Sequence, residues 1–331
     1  MIINAYFVNQ HCHKKLGYYD IDKMKIEDAE EIFINFEINI LNNLSVYTDI
    51  IKNCLPNNLR KLVLSTGVFL NEETTKNFSL TLEELDLKNS SGEIKFSLPN
   101  LKKINASGLK LLGFYEKLEE AHLKEIKEIP DTLRKLEVDV YNNNCKNLEE
   151  LKFNEFKGGT FGEKLKILDA GTLEITPNIF EKCYHLNDFN IFCLKNTHEN
   201  SYNIFQNCQN LKKIFISKGD YQILDYLPKN LEKLNFDTGI GLYYNKSFPK
   251  IELSNLPSSL KTLKLGSLKS NLDFLPPIKK LNLNYVMGKF TNLPSSIEKF
   301  NYFGFETEIN LPDNIDKRIH FTRFKWSDDV W

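Results

Sequence analysis

The sequence lacks an excess of charge of either sign: 43 Lys and Arg face 44 Asp and Glu in 331 residues, a formal net charge of −1. A protein that binds a duplex must neutralise phosphates, so nucleic acid is a poor partner for so balanced a chain. No apolar run approaches the roughly eighteen residues of a membrane-spanning helix, and no membrane role is expected. The opening "MIINAYFVNQHCHKK" is also too short in its apolar run for a secretory signal. Cysteine is sparse. Cys12, Cys54, Cys145, Cys183, Cys193 and Cys208 are scattered over the chain without a CxxC pair, which points to a reducing compartment and a soluble, cytoplasmic protein.

Signatures of chemistry are missing too. There is no Gly-rich phosphate loop, no GxSxG elbow and no HExxH, so no enzyme and no cofactor are expected. "HCH" at His11 to His13 invites a metal, but neighbouring side chains on a strand point to opposite faces, and no other His or Cys cluster completes a tetrahedral site. Cys183 and Cys208 occupy equivalent places in related stretches. They read as two buried thiols filling one kind of core slot, with a disulfide or shared metal as the alternative.

With 41% hydrophobic and 26% charged residues the chain is composed like a folded protein. What it has in abundance is repetition. "LPSSLKTLKLG" (256–266) returns as "LPSSIEKFNYF" (293–303), and apolar-x-x-apolar-x-apolar recurs thirteen times between residues 58 and 302, as in "NLRKLVL" (58–64), "TLRKLEV" (132–138) and "NLEKLNF" (230–236). Most spacings lie between 15 and 25 residues, with one of 29 before Leu260. Leu-x-Leu puts both leucines on one face of a short strand, and the earlier apolar residue enters the same core from the preceding turn. A single unit cannot bury that face; stacked units bury it together. Proline follows the strand-distal apolar residue at Leu55-Pro56, Ile129-Pro130, Leu227-Pro228, Leu256-Pro257, Leu293-Pro294 and Leu311-Pro312. There it fixes φ where the backbone turns and needs no ladder hydrogen bond.

The units resemble leucine-rich repeats over about three quarters of the chain. "FEKCYHLNDFNI" (180–191) and "FQNCQNLKKIFI" (205–216) are similar to BspA-like repeats, whereas "LPSSLKTLKLG" resembles the FNIP-type repeats of amoebae and giant viruses and the LPxxL repeats of bacterial ubiquitin-ligase effectors. The resemblance implies an α/β-type solenoid, mostly short parallel strands, in a horseshoe or arc with an irregular convex side. Residues 55–310 are expected to form one continuous solenoid, with Leu62, Leu85, Leu136, Leu151, Leu168, Leu234, Leu263 and Leu281 in its core, and 311–331 a terminal cap. Residues 1–54 read either as a cap with degenerate repeats at "DIDKMKI" (20–26) and "ILNNLSV" (40–46), or as an amphipathic helix over 26–44. That helix could belong to a small docking module of F-box type.

Function is then expected on the concave surface, since repeat arrays bind many unrelated partners. In the first half the outward residue before the strand leucine alternates in sign through Lys61, Glu84, Lys103, Glu120, Lys135 and Glu150. That half satisfies its own charges. Beyond residue 210 the same positions give Lys213, Lys233, Thr262, Lys280 and Lys299, with Lys264 beside them and only Asp237 opposed. Phe192, Phe215 and Phe303 add aromatic faces, with Phe192 and Phe215 expected as diagonal neighbours. Lysines beside aromatic anchors suit an acidic, partly apolar protein segment. The expected protein is a monomeric, non-catalytic scaffold. An adaptor presenting clients to a ubiquitin ligase is the alternative, and a surface adhesin a weaker one.

Overall fold

The computed structural model describes residues 4–9, 12–16, 31–35 and, within 55–321, all but 56, 65–68, 77, 88–89, 143–145, 177, 197–202, 238–249, 254, 267–268, 273, 287, 289, 291, 305–308 and 312–314. The repeat-like stretches 20–26 and 40–46, His11, Cys54, Cys145 and the tail beyond 321 lie outside the described residues. The chain forms two compact units, residues 1–158 and 159–331. Their boundary falls inside the stretch the sequence presents as a single array.

In the first unit, β1 (Asn4–Asn9) pairs antiparallel with β2 (Cys12–Leu16) and with β3 (Glu31–Asn35). A parallel ladder then runs from β3 through β4 (Lys61–Leu64), β6 (Glu84–Leu87), β8 (Lys103–Leu111), β9 (Glu120–Ile126) and β10 (Lys135–Tyr141) to β11 (Glu150–Phe156). The short strands β5 (Phe69–Leu70) and β7 (Ser91–Ile94) form a second row with the far end of β8. Residues 31–35, which the helical reading placed inside an amphipathic helix, are a strand in ladder register, with Glu31 opposite Lys61 and Ile32 opposite Leu62. That correction has a local cause. "EIFIN" carries an Ile-Phe-Ile run of β-branched and aromatic residues between two polar ones, and the edge of the neighbouring strand rewards that strand preference over a helix.

The second unit holds β12 (Ile167–Ile175), β13 (Asp188–Asn196), β14 (Lys213–Lys218), β15 (Lys233–Asp237), β17 (Thr262–Gly266), β19 (Lys280–Asn284), β20 (Lys299–Gly304) and β21 (Asp316–Phe321), each parallel to the next. β16 (Lys250–Glu252) and β18 (Lys269–Asn271) make a separate parallel pair. Each unit is therefore a parallel-strand β-solenoid with little helix. Among the described residues the only α-helix is α1 (Glu72–Thr75), capped by Asn71, and a 3-10 turn spans Tyr221–Tyr226. Among the described residues the helical part of the α/β expectation is confined to that four-residue helix.

The inward side chains stack as the repeat dictates. Leu62, Leu85, Ile104, Ala121, Leu136 and Leu151 form one buried row in the first unit. Leu168, Phe189, Ile214, Leu234, Leu263, Leu281 and Phe300 do so in the second. Each leucine, isoleucine or phenylalanine of these rows contributes about 1.5–3 kcal/mol by leaving water. β21 joins the ladder but breaks the rule, since Lys317 and Ile319 stand opposite the buried Phe300 and Tyr302 and are exposed.

Two further regularities hold the coils in step. The carbonyl after the leading leucine accepts two N–H groups from the next coil, as Arg60 accepts from Glu83 at 2.7 Å and Glu84 at 2.9 Å, and Lys212 from Glu232 and Lys233, both at 2.9 Å. At the proline corners the leading residue closes a turn, with Leu133, Leu231 and Leu260 donating to the carbonyls of Pro130, Pro228 and Pro257 at 3.1 Å. The residue just before the leading apolar residue is Asn, Ser or Thr in nine of the thirteen units. Its side chain bonds a carbonyl of the preceding coil: Thr132 Oγ1 donates to Glu116 and Leu118, Asn230 Nδ2 to Gln209, and Ser259 Oγ to Lys229 and Leu231, all at 2.7–3.0 Å. This polar row satisfies carbonyls that the turn leaves outside any sheet.

Candidate functional site

Outward-facing residues of the second unit form rows across the strands, because parallel register carries each one onto its neighbour about 4.8 Å away. The first row reads Asp188, Lys213, Lys233, Thr262, Lys280, Lys299 and Asp316. The second reads Asn190, Phe215, Asn235, Lys264, Asn282, Asn301 and Arg318. A third contains Asp237, Gly266, Asn284, Phe303 and His320. The structure thus brings Lys213, Phe215, Lys233, Lys264, Lys280, Lys299 and Phe303 onto one face.

Phe192 lies two residues past Asn190, which faces Phe215, so the two rings are diagonal neighbours on adjacent strands. Phe192 is 54% exposed, and Lys218 Nζ sits 4.9 Å above its ring. Phe215 is half-buried. Phe303 is held differently, stacked on His320 at 5.2 Å and edge-on to Tyr285 at 5.0 Å.

The charge count needs correction. Lys213 bonds Asp188 at 2.8 Å, and Lys264 bonds Asp237 at 2.8 Å, so two of the five lysines are neutralised within the fold. Asp188 escaped the sequence count because it lies one coil upstream of the stretch being compared. Gly266 explains the second pair: with no side chain there, the Asp237 carboxylate lies over the Gly266 backbone, where a Cβ would come within 2.3 Å of its Oδ1. From that place Asp237 also accepts from Asn284 Nδ2 at 3.1 Å, two strands away. Lys233, Lys280 and Lys299 are exposed and, among the described residues, have no carboxylate within 4 Å.

Asp316 stands opposite Lys299 in the ladder without forming an ion pair with it, and the acids Glu232 and Glu298, which also feel these three lysines, are engaged one row over. The Lys261 ammonium, bonded at 2.8 Å, chiefly holds the Glu232 carboxyl below its ordinary range, and Lys279, bonded at 2.9 Å, does so for Glu298. Behind the lysines, Asn235 Oδ1 is shut off from solvent and finds no hydrogen-bond partner among the described residues. The face therefore offers three ammonium groups outside any ion pair and two aromatic faces, a set suited to binding.

The first unit's corresponding face differs. Lys61 pairs with Glu84 at 2.9 Å, Lys103 with Glu120 at 3.4 Å and Lys135 with Glu150 at 3.1 Å, while Glu137 takes Lys152 at 2.9 Å and His122 at 3.5 Å. Such exposed pairs contribute about 0–1 kcal/mol each. They leave little field for a partner. A cleft of about 290 Å³ on the second strand row, floored by Gly92 and Gly108 beside the exposed Phe69, has its Lys95 and Lys110 bonded to Glu93 and Glu125.

Among the described residues no group of three His, Cys, Asp or Glu side chains could hold a metal, and no helix is long and apolar enough to cross a membrane. Cys183, Cys193 and Cys208 are free thiols, the first and last fully buried in equivalent coil positions.

Repeat and ladder together define a β-solenoid of parallel strands built on a leucine-based sequence repeat. No protein-family model and no curated protein matches the chain. Among solved structures it is similar to CroV588, described as a novel circular LRR protein, at 14% identity over 88% of this chain and 69% of that one, with a TM-score of 0.33. It is also similar to a leucine-rich repeat protein from Bacteroides ovatus ATCC 8483, at 13% identity over 81% and 79% of the two chains, with a TM-score of 0.23.

Proposed function

We propose that this protein is a non-catalytic, monomeric scaffold that binds a protein partner on the outward ladder face of its second unit. The partner's segment is acidic and partly apolar. The observation that carries the reading is the contrast between faces: the first unit pairs its charges along the ladder, whereas Lys233, Lys280 and Lys299 have no such partner beside the aromatic faces of Phe192 and Phe215. Like charges on neighbouring strands repel, so they cost the free protein something that an anionic segment recovers. The free thiols of Cys183, Cys193 and Cys208 suit a reducing, cytoplasmic setting.

Capture from the source cell with wild-type protein and with a Lys233→Glu/Lys280→Glu double variant tests the reading, followed by binding kinetics on whatever the wild type alone retains. Charge reversal should slow association and weaken its salt dependence, while Phe215→Ala should mainly speed dissociation. A captured partner that binds the charge-reversed double variant and Phe215→Ala as it binds the wild type would move the function away from this face.

A further inference from the structure

The spacing of the three unpaired lysines carries information about the shape of what they meet. Lys233 and Lys280 are two strands apart and Lys280 and Lys299 one, with Thr262 filling the gap. At about 4.8 Å per strand the ammonium stems rise from points about 0, 9.6 and 14.4 Å along the ladder. An extended segment laid across the strands presents one face every second residue, about every 6.8 Å, and so misses the middle lysine by about 3 Å. A helix rising about 1.5 Å per residue places i+7 at about 10.5 Å and i+10 at about 15 Å, within about 1 Å of both lysines and on one face.

We infer that the partner element is an α-helix lying across the strands, with acidic side chains at i, i+7 and i+10, or at i, i+3 and i+10 if it runs the other way. This rests on the reading of the face given above and names the partner's geometry. Phe215 stands one strand before Lys233 in the adjoining row, so the same helix meets it with an apolar residue three or four places before the acid that faces Lys233. Thr262 marks a position where the helix needs no acid, which makes it a handle.

Synthetic peptides that share one set of glutamates and apolar residues in different order separate the geometries, the helical ones being stapled on the far face. Two carry glutamates in the helical registers with a leucine at the Phe215 position, and one unstapled isomer carries them at i, i+2 and i+4. Binding is read by fluorescence anisotropy against the full chain. One helical-register peptide should bind about tenfold tighter than the extended isomer, since lysine stems absorb part of a misfit in three exposed pairs but not all of it. The advantage should vanish in Lys233→Glu/Lys280→Glu. Thr262→Lys should raise affinity only for a helical peptide given an extra glutamate facing that strand. Lysine-dependent binding in which the extended isomer equals or beats both helices would overturn the helical inference and leave the face intact. Absence of lysine-dependent binding by any isomer would overturn both.

Discussion

At the scale of single residues, a missing side chain decides a charge. Gly266 leaves the space in which Asp237 lies, and Asp237 in turn holds Lys264 at 2.8 Å and Asn284 at 3.1 Å. Gly266→Ala would put a Cβ where the carboxylate now sits and should separate all three. We expect a loss of about 1.5–3 kcal/mol in urea unfolding, the range for hydrogen bonds to a charged group. Lys264 would also be released to the surface. Cys183 and Cys208 show burial acting on chemistry. Desolvation pushes both thiols up, Cys208 to about 12, and for Cys183 the neighbouring Cys208 adds to it. Only the thiolate reacts at speed. Alkylation at pH 8 should therefore modify the partly exposed Cys193 well before either of them, and peptide mapping of a timed reaction checks the order. Early labelling of Cys183 or Cys208 would mean that their coils open far more readily than the packing implies.

At the scale of the element, each coil is a strand, a return path and a corner, and the corner is where polar side chains matter most. Ser259 Oγ lies 2.7 Å from two carbonyls of the preceding coil. Ser259→Ala should cost about 1–2 kcal/mol by equilibrium unfolding, because those carbonyls lose their donor without gaining water. A change within error would mean that water replaces the hydroxyl. On the ladder side, Glu83 bonds Lys102 at 2.7 Å and Arg60 at 2.6 Å. Those bonds, Lys102 first, hold its carboxyl below the ordinary 4.5. A carboxyl depressed in the folded state adds stability above its unfolded value and loses it as pH falls through the folded one. Stability should thus decline on acidification below about pH 4.5, and Glu83→Gln should flatten that decline while lowering stability at neutral pH. Thermal unfolding at a series of pH values distinguishes the two slopes.

At the scale of the whole molecule, stability in each unit is a sum over coils and their contacts, so damage should spread along the stack. Leu234, buried between Ile214 and Leu263, is the place to test this in the second unit. Leu234→Ala should cost about 2–5 kcal/mol through lost burial and a residual cavity. Leu234→Asp should cost more, because an unpaired charge enters the core. Hydrogen exchange should show protection lost first in β15 and then in β14 and β17, weakening with distance. Uniform loss across the second unit would instead describe one all-or-none block, and full retention would show that the inward register is misassigned.

The repeat itself was enough to define the inward rows, the proline corners and the parallel stacking, because a period-two alternation recurring every 15 to 25 residues has one economical way to bury its leucines. It also placed Lys213, Lys233, Lys264, Lys280 and Lys299 on one face, since outward positions follow once inward ones are known. Tertiary structure decided the rest. The strand at 31–35 was chosen by a neighbouring edge that local sequence does not contain. Which lysines remain free depended on what stands one coil away: Asp188 beside Lys213, and Asp237 reaching Lys264 only because Gly266 has no side chain to stop it. Contacts across coils are set by register between segments twenty or more residues apart, and no single segment carries that register.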